Sequence, residues 1–260
     1  WYEVVAEDGT EYQCRIRGKI RLEGIKETNP IAVGDYVLFE LDHGTGNITT
    51  IVERKNHILR QSVKKTGHSQ VLAANLDQVL LVATRVQPRT SLGFIDRFLA
   101  TAESFRIPQI LVFNKQDLLN EEEKDQQQKL IDLYNGIGVT TLQLCALQDD
   151  LSSIHGVIKN KVTLIAGHSG VGKSTLLNKL SPDIEQKIGD ISGFSEKGKH
   201  TTTFAEMFQL EKGTFIIDTP GIKEWGLVDM TQQEISDYFP EMRDVRLDCK
   251  FGARCIHLTE

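Results

Sequence analysis

Apolar residues after position 76 fall into short runs of strand length, separated by longer segments that have apolar residues at helical spacing. The short runs predict strands at Val79–Thr84, Gln109–Phe113, Thr141–Cys145, Val162–Ala166 and Thr214–Ile217. The helical segments are Phe94–Phe105, Glu121–Asn135, Ser152–Val157 and Lys173–Leu180. Strands that alternate with helices are typical of a mostly parallel sheet covered on both faces. This part of the chain is therefore predicted to be an α/β domain.

The segment before residue 54 has a different pattern, in which β-branched and aromatic residues form short runs broken by turn residues. Its runs are Trp1–Ala6, Glu11–Leu22, Tyr36–Leu41 and Asn47–Val52. Glycine-containing turn signals separate them, and no segment among them has a convincing helical pattern. Several short strands without a helix indicate a small β-barrel.

Basic residues alternate along the second of these runs, so they share one face of the predicted strand. They are Arg15, Arg17, Lys19 and Arg21. A solvated outer face and a stripe that contacts nucleic-acid phosphates explain this pattern equally well.

The remaining segments have weaker patterns. Arg54–Gln70 is polar and basic and predicts a linker, whereas Lys187–Thr203 is rich in glycine and serine and predicts a mobile loop. Beyond Gly221 the chain becomes polar, with a helical pattern at Thr231–Tyr238. The predicted domains are therefore residues 1–60, 70–226 and 227–260.

Length, charge and cysteine content narrow the class of protein. A chain of 260 residues suggests more than one domain. The net charge of −6 argues against a chain that binds nucleic acid over its whole surface, although it does not exclude a local basic face. Four cysteines are too few for a secreted disulfide framework, which favours the cytoplasm. No apolar run approaches the roughly 18 residues of a membrane span, so we expect no membrane partner.

The segment Gly167–Ser174 matches the phosphate-loop pattern G-x-x-x-x-G-K-[ST] at every fixed position. A predicted strand precedes it and a predicted helix follows it, as that motif requires. Backbone N–H groups and the helix N-terminus would hold phosphate oxygens, Lys173 would reach the β- and γ-phosphates, and Ser174 would ligate Mg²⁺. The predicted nucleotide-binding residues here are Gly167, His168, Ser169, Gly170, Val171, Gly172, Lys173, Ser174 and Thr175.

Two further motifs suit the metal and the γ-phosphate. Asp218 follows a predicted strand and would hold Mg²⁺, and Gly221 would bring its backbone N–H to the γ-phosphate. Between this motif and the phosphate loop lies His200-Thr201-Thr202-Thr203. A nucleotide switch needs a threonine hydroxyl there to complete the metal shell. We predict Thr202, with Thr201 and Thr203 as alternatives.

The sequence Asn-Lys-Gln-Asp at Asn114–Asp117 follows the strand predicted at Gln109–Phe113. The Asp117 carboxylate can accept two N–H donors from guanine, a pair that adenine does not offer. Asn114 and Lys115 would hold the loop in place. Cys145 and Ala146, after the next strand, would offer a backbone N–H to the guanine carbonyl. Asp117 thus argues against the alternative of a phosphate-loop ATPase or kinase.

The base-reading motif precedes the phosphate loop here, the reverse of the order in most guanine-nucleotide switches. With the motif order described above, the chain resembles the RsgA (YjeQ) family of circularly permuted GTPases over essentially its whole length. The resemblance implies an N-terminal OB-fold, a permuted GTPase domain and a small α-helical zinc-binding C-terminal domain. It also implies a role in late maturation of the 30S ribosomal subunit, with that subunit and 16S rRNA as partners.

The end of the chain carries Cys249, Cys255 and His257, a clustering that favours a structural zinc site over incidental residues. The family resemblance implies a fourth ligand, which we expect beyond Glu260. We expect one structural zinc ion per full-length protein.

The expected reaction is the hydrolysis of GTP to GDP and phosphate, with Mg²⁺ as cofactor. The predicted catalytic residues are Lys173, Thr202, Gly221 and, as a titratable group in the mobile loop, His200. Ile222 follows Gly221 where Ras-like switches have a water-positioning glutamine, so we expect slow turnover alone and faster turnover on the ribosome. The alternative is an RNA-binding checkpoint in which GTP is an allosteric ligand and hydrolysis is incidental. We expect a monomer with no DNA partner.

Overall fold

The computed structural model describes residues 1–16, 30–61, 69–181, 205–219, 227, 230–246 and 248–251. Its strands are β1 Tyr2–Val5, β2 Glu11–Ile16, β3 Val37–Asp42, β4 Thr45–Ile51, β5 His57–Gln61, β6 Ser69–Ala74, β7 Gln78–Ala83, β8 Gln109–Phe113, β9 Thr140–Gln143, β10 Val162–Gly167, β11 Glu206–Glu211 and β12 Thr214–Asp218. Its helices are α1 Leu92–Ser104, α2 Glu121–Gly136, α3 Ser152–Ile158, α4 Lys173–Leu180, α5 Gln232–Asp237 and α6 Pro240–Arg246.

A six-stranded sheet forms the centre of the α/β part, with strand order β11-β12-β10-β7-β8-β9. All neighbouring pairs are parallel except β11 with β12. Every residue of β7 is buried, as expected of a central strand with helices on both faces. The α/β architecture thus agrees with the alternation of strand and helix patterns in the sequence.

Two apolar clusters lie on opposite faces of this sheet, because successive side chains of a strand point to opposite sides. The first cluster includes Phe94 and Phe98 of α1 together with Ile131 of α2. The second includes Ile154 of α3 and Leu176 of α4. Helices held in this way leave the carboxyl ends of the parallel strands at one edge, which is where open α/β sheets bind ligands.

The N-terminal strands form a separate four-stranded sheet with order β1-β2-β4-β3. Its core is small, with Cys14, Ile31 and Ile48 buried and the Tyr12 and Phe39 rings 5.3 Å apart. A predicted barrel involves residues 17–29 as well, which lie outside the described residues. Closure as an OB-fold therefore stays a prediction.

Of the four basic residues that alternate along the predicted second strand, only one is described. The Arg15 Nε atom donates a 3.2 Å hydrogen bond to the side-chain oxygen of Asn47 on β4. Arg17, Lys19 and Arg21 lie outside the described part of the chain, so their two interpretations remain open.

The prediction of a linker at Arg54–Gln70 needs correction, because residues 57–61 form β5, which pairs antiparallel with β6. Ile58 and Leu59 alone supply its apolar character, too few to show an alternating pattern in the sequence. Arg54, the first residue of the predicted linker, is also held in place, since it donates two 2.7 Å hydrogen bonds to the Asp35 carboxylate. The hairpin packs on the α/β core through Ile58 and Ala73, and its Ala74 N–H donates a 2.9 Å hydrogen bond to the Val33 carbonyl of the N-terminal segment.

Near the end of the chain, α5 matches the helix predicted at Thr231–Tyr238, and the Thr231 side chain caps its first turn. The sequence pattern does not predict helix α6. Its Arg243 approaches Glu103 of α1 to 3.3 Å, which ties the C-terminal helices to the sheet-covering helix. Among the described residues, no helix has both the length and the apolar character needed to cross a membrane.

Candidate nucleotide-binding site

The phosphate loop connects β10 to α4 at the carboxyl edge of the central sheet. Two of its glycines have positive φ angles, +85° at Gly170 and +92° at Gly172, a conformation that costs residues with a Cβ atom. A Cβ atom at Gly172 would also lie 2.3 Å from the side-chain nitrogen of Asn114. Glycine at this position is therefore required both by the turn and by the close approach of the base-reading motif.

Helix α4 begins at Lys173 and carries the exposed Ser174 in its first turn. The unpaired N–H groups at the start of a helix and its dipole favour an anion. The exposed hydroxyl of Ser174 is an oxygen ligand of the kind that Mg²⁺ binds. The structure thus places the turn predicted to bind phosphate next to the hydroxyl predicted to ligate Mg²⁺.

Lys173 lies only 7% exposed and forms an ion pair with the Asp218 carboxylate at the end of β12. Burial raises the pKa of Asp218, while the Lys173 ammonium opposes that shift. The pair brings together the predicted phosphate-binding and metal-binding residues. In this arrangement Asp218 neutralises a buried ammonium that a phosphate group would otherwise neutralise.

Asn114 connects three loops through its side-chain amide. Its nitrogen donates a 2.8 Å hydrogen bond to the Val171 carbonyl of the phosphate loop. Its oxygen accepts a 2.9 Å hydrogen bond from the Ala146 backbone N–H. Because Asn114 is 2% exposed, both hydrogen bonds form away from water. The base-reading, Cys-Ala and phosphate loops therefore form one site.

Asp117 is exposed at the mouth of this site, so its carboxylate is accessible to a ligand. The Cys145 thiol donates a 3.0 Å hydrogen bond to the Asp117 carboxylate. Burial raises the pKa of the Cys145 thiol, and the hydrogen bond to Asp117 raises it further. Cys145 therefore remains a neutral donor at physiological pH, and its hydrogen bond orients Asp117.

The backbone N–H groups of the Cys-Ala pair already have protein partners. The Cys145 N–H donates to the Asp149 carboxylate at 2.7 Å, and the Ala146 N–H donates to Asn114. Contact with a guanine carbonyl would thus require one of them to exchange or share its partner. That role for Cys145 and Ala146 stays a prediction.

Sequence reasoning missed the loop that follows β7. The Lys115 ammonium donates a 2.5 Å hydrogen bond to the Gln87 carbonyl, and Lys115 itself has a φ of +65°. Pro88 lies against the phosphate loop, since a Cβ atom on Gly170 would be 3.4 Å from its ring. Nothing in this loop forms a recognisable motif, so only the folded structure reveals its proximity.

Several predicted site residues lie outside the described residues. They are His200, Thr201, Thr202, Thr203, Gly221, Ile222, Cys255 and His257. Cys249 is described and half-buried. Within the described ranges, no three His, Cys, Asp or Glu side chains are grouped so that they could hold a metal ion. The zinc site and the predicted Thr202 ligand are therefore untested by this geometry.

Two family models match the chain. The model described as the RsgA N-terminal domain matches residues 1–48, and the model described as RsgA GTPase matches residues 51–228. Their boundary falls at the end of β4, before the hairpin of β5 and β6.

Relatives and solved structures agree with these models. The small ribosomal subunit biogenesis GTPase RsgA 2 of Bacteroides thetaiotaomicron is 48% identical over 262 residues, which cover 100% of this chain and 84% of that protein. The RsgA of Flavobacterium psychrophilum is 48% identical over 265 residues, covering 100% and 81% respectively.

Two crystal structures are similar over nearly the whole chain. YjeQ from Thermotoga maritima superposes with a TM-score of 0.74 at 32% identity, covering 98% of this chain and 81% of that one. YloQ, described as a circularly permuted GTPase, superposes with a TM-score of 0.73 at 30% identity, covering 100% and 80%. With a GTPase model matched over residues 51–228 and the motifs joined in one site, the chain belongs to the RsgA family of GTPases.

Proposed function

We propose that this chain is a cytoplasmic GTPase that binds the 30S ribosomal subunit and acts late in its maturation. The observation that carries the proposal is the side chain of Asn114, which joins the base-reading, Cys-Ala and phosphate loops. Relatives 48% identical over the whole chain are named small ribosomal subunit biogenesis GTPases, which supports the ribosomal partner. A contact with 16S rRNA and a monomeric state belong to the same proposal.

Guanine would be selected by Asp117. Its exposed carboxylate is oriented by the Cys145 thiol and can accept two N–H donors from the base. Lys115 and Asn114 hold the loop from either side, through Gln87 and through Val171. A nucleotide whose base lacks this donor pair makes fewer hydrogen bonds to the Asp117 carboxylate, so it binds more weakly.

Phosphoryl transfer needs positioning and charge stabilisation more than covalent chemistry. Lys173 would leave Asp218 for the β- and γ-phosphates when nucleotide binds. The residues present fit Mg²⁺, because Ser174 and Asp218 supply oxygen ligands next to the phosphate-binding turn, with Thr202 proposed as a third ligand. When bound, Mg²⁺ neutralises charge on the transferred phosphoryl group. Gly221 would contribute its backbone N–H there.

The attacking water has no glutamine partner, because Ile222 follows Gly221. We therefore expect slow hydrolysis by the protein alone and faster hydrolysis when the ribosome orders the site. His200 is the proposed titratable group in that process. Structural zinc, held by Cys249, Cys255, His257 and a fourth ligand beyond Glu260, is part of the proposal for the third domain.

The decisive experiment measures GTP hydrolysis by the full-length protein with and without purified 30S subunits, and with 50S subunits as the control. We expect stimulation by 30S subunits alone. Equal rates in all three reactions would contradict a ribosome-activated enzyme and favour the checkpoint in which hydrolysis is incidental. Metal analysis of the same protein should find one zinc ion per chain, and its absence would remove the zinc proposal.

A further inference from the structure

A chain of glutamine side chains lies beneath the base-reading loop. The Gln116 oxygen accepts a 2.7 Å hydrogen bond from the side-chain nitrogen of Gln127 on α2. The same nitrogen donates a 3.1 Å hydrogen bond to the side-chain oxygen of Gln143, the last residue of β9. Gln116 also donates back to the Phe113 carbonyl at 3.0 Å. One amide of α2 therefore holds both the loop that contains Asp117 and the strand that leads to the Cys-Ala pair.

Gln127 occupies a core position on a polar helix. It lies one and two turns before Ile131 and Tyr134, which form the buried face of α2. Gln127 is 1% exposed, and its side-chain oxygen is buried without a hydrogen-bond partner in the described structure. An apolar residue of similar size would avoid this desolvation penalty. The amide at this position is therefore less favourable for stability than an apolar residue would be. Its two donated hydrogen bonds must then serve another purpose.

The geometry points to such a purpose. We propose that Gln127 is a positioning residue for guanine recognition, which fixes the spacing between Asp117 and the Cys-Ala loop before nucleotide arrives. This inference rests on the proposed role of Asp117 as the guanine-reading carboxylate.

Preorganisation explains why this spacing matters. Lys115 has a left-handed backbone with φ of +65°, so the base-reading loop is held in a conformation that a free chain seldom adopts. The Gln116 N–H donates a 3.3 Å backbone hydrogen bond to the Leu144 carbonyl, a weak contact on its own. The Gln127 amide connects the base-reading loop to β9 a second time, through its hydrogen bonds to Gln116 and Gln143. A loop already in its binding conformation loses less entropy when it binds guanine.

The test replaces Gln127 with leucine in the full-length protein and measures nucleotide affinity and turnover. Loss of the two hydrogen bonds should weaken GDP binding about tenfold, with kcat within about twofold of wild type. The matched control is Gln128→Leu, the same change at the next, exposed position. Gln128 accepts a long 3.4 Å hydrogen bond from Gln143, and its own amide donates to Asp132 along the exposed face of α2. This control should bind GDP as wild type does.

Base selectivity separates positioning from simple stability. ITP lacks the exocyclic amino group, so wild type should prefer GTP over ITP through Asp117. In Gln127→Leu this preference should shrink, because a displaced carboxylate loses that contact. A merely structural role would lower thermal stability and leave the GTP to ITP ratio unchanged, and an unchanged ratio would overturn the inference.

A second variant guards against a folding defect. Gln116→Met removes the shared hydrogen bond from the more exposed partner and should reproduce the loss of selectivity. The double variant should lose little more than Gln127→Leu alone, because that variant has already lost the hydrogen bond to Gln116. Additive losses would contradict this coupling.

A separate variant tests the proposed role of Asp117 in guanine recognition. Asp117→Asn should exchange guanine preference for xanthine, because an amide N–H can donate to the second carbonyl of xanthine. If Asp117→Asn keeps its preference for GTP, the proposed guanine reader is wrong. If it switches and Gln127→Leu behaves as wild type, only the glutamine inference fails.

Discussion

The base end and the phosphate end of the nucleotide site are held in different ways. At the base end, the Asp117 carboxylate accepts from the Cys145 thiol, and the Asp149 carboxylate accepts from the Cys145 N–H. At the phosphate end, the Asp218 carboxylate is paired with Lys173, the side chain that a phosphate would need. The base-reading carboxylate is therefore oriented before nucleotide binds, whereas Lys173 at the phosphate end must exchange an internal ion pair for its ligand.

The largest effect on this difference between the two ends should come from removing the Lys173 ammonium. Lys173→Ala deletes the proposed phosphate contact and leaves the partly buried Asp218 carboxylate without its cationic partner. We expect kcat/KM for GTP to fall by about three orders of magnitude, as for the loss of a preorganised charge at a reacting group. Steady-state hydrolysis assays check this. Lys129→Ala is the control, since Lys129 is exposed and pairs only with Asp125 among the described residues. Retained hydrolysis in Lys173→Ala would show that the exchange is not part of the mechanism.

Asn114→Ala removes the two hydrogen bonds that connect the base-reading loop to the phosphate loop and to the Cys-Ala loop. It leaves the Val171 carbonyl and the Ala146 N–H buried without partners, so we expect a loss of about 2–4 kcal/mol in the free energy of unfolding. Urea unfolding of the nucleotide-free protein measures it. Asn135→Ala is the matched control, because the Asn135 side-chain oxygen accepts two hydrogen bonds from Thr141 in an exposed position. Equal losses of unfolding free energy in the two variants would mean that the buried hydrogen bonds of Asn114 stabilise the protein no more than the exposed ones of Asn135.

Gly172→Ala tests how tightly the ends are packed. Its Cβ atom would have a positive φ and would clash with Asn114, so we expect a loss of about 2–3 kcal/mol. Gly44→Ala is the control, because Gly44 has a φ of +83° and a Cβ atom there would meet no other atom within 4 Å. It should lose about 1 kcal/mol from the backbone conformation alone. If both variants lose the same amount, the clash with Asn114 adds nothing.

The base end also shows how far the sequence can predict the site. Asn114–Asp117 follows a strand whose bounds, Gln109–Phe113, are the same in prediction and structure. The helix of the phosphate loop, Lys173–Leu180, likewise matches. The strand is a continuous apolar run and the helix has its leucines at helical spacing, so local sequence patterns determine both elements.

What the sequence does not predict depends on contacts between distant residues. Strand β5 pairs with β6 through backbone hydrogen bonds that leave little apolar signal. Gln127 looks like one more polar residue in a polar helix, and only the fold shows that it is buried between the base-reading loop and β9. The Lys173–Asp218 pair similarly joins residues 45 positions apart. Tertiary pairing of polar groups leaves no periodic pattern in a sequence.

The smallest predicted effect concerns the charge left uncompensated at the phosphate end. Glu206 stands directly opposite Asp218 in the antiparallel pair of β11 with β12. Burial raises the pKa of Glu206, and the nearby Asp218 and Glu3 carboxylates raise it further. A raised folded-state pKa means that protonation stabilises the fold. That stability is present below the ordinary pKa of a glutamate and is lost as pH rises through the folded-state value.

Glu206→Gln removes this ionisation, so the nucleotide-free variant should be more stable than wild type at pH 7.5 and should lose that advantage near pH 4. Because Glu206 is partly exposed, solvent screening keeps the gain below about 1 kcal/mol, or about 3 °C in Tm. Thermal unfolding in magnesium-free buffer at the two pH values measures it. Glu211→Gln, at the far end of the same strand, should show no such pH-dependent gain. A gain of equal size at both pH values would mean that Glu206 affects stability through packing. The Glu206 carboxylate would then not be a destabilising negative charge beside Asp218 at the phosphate end.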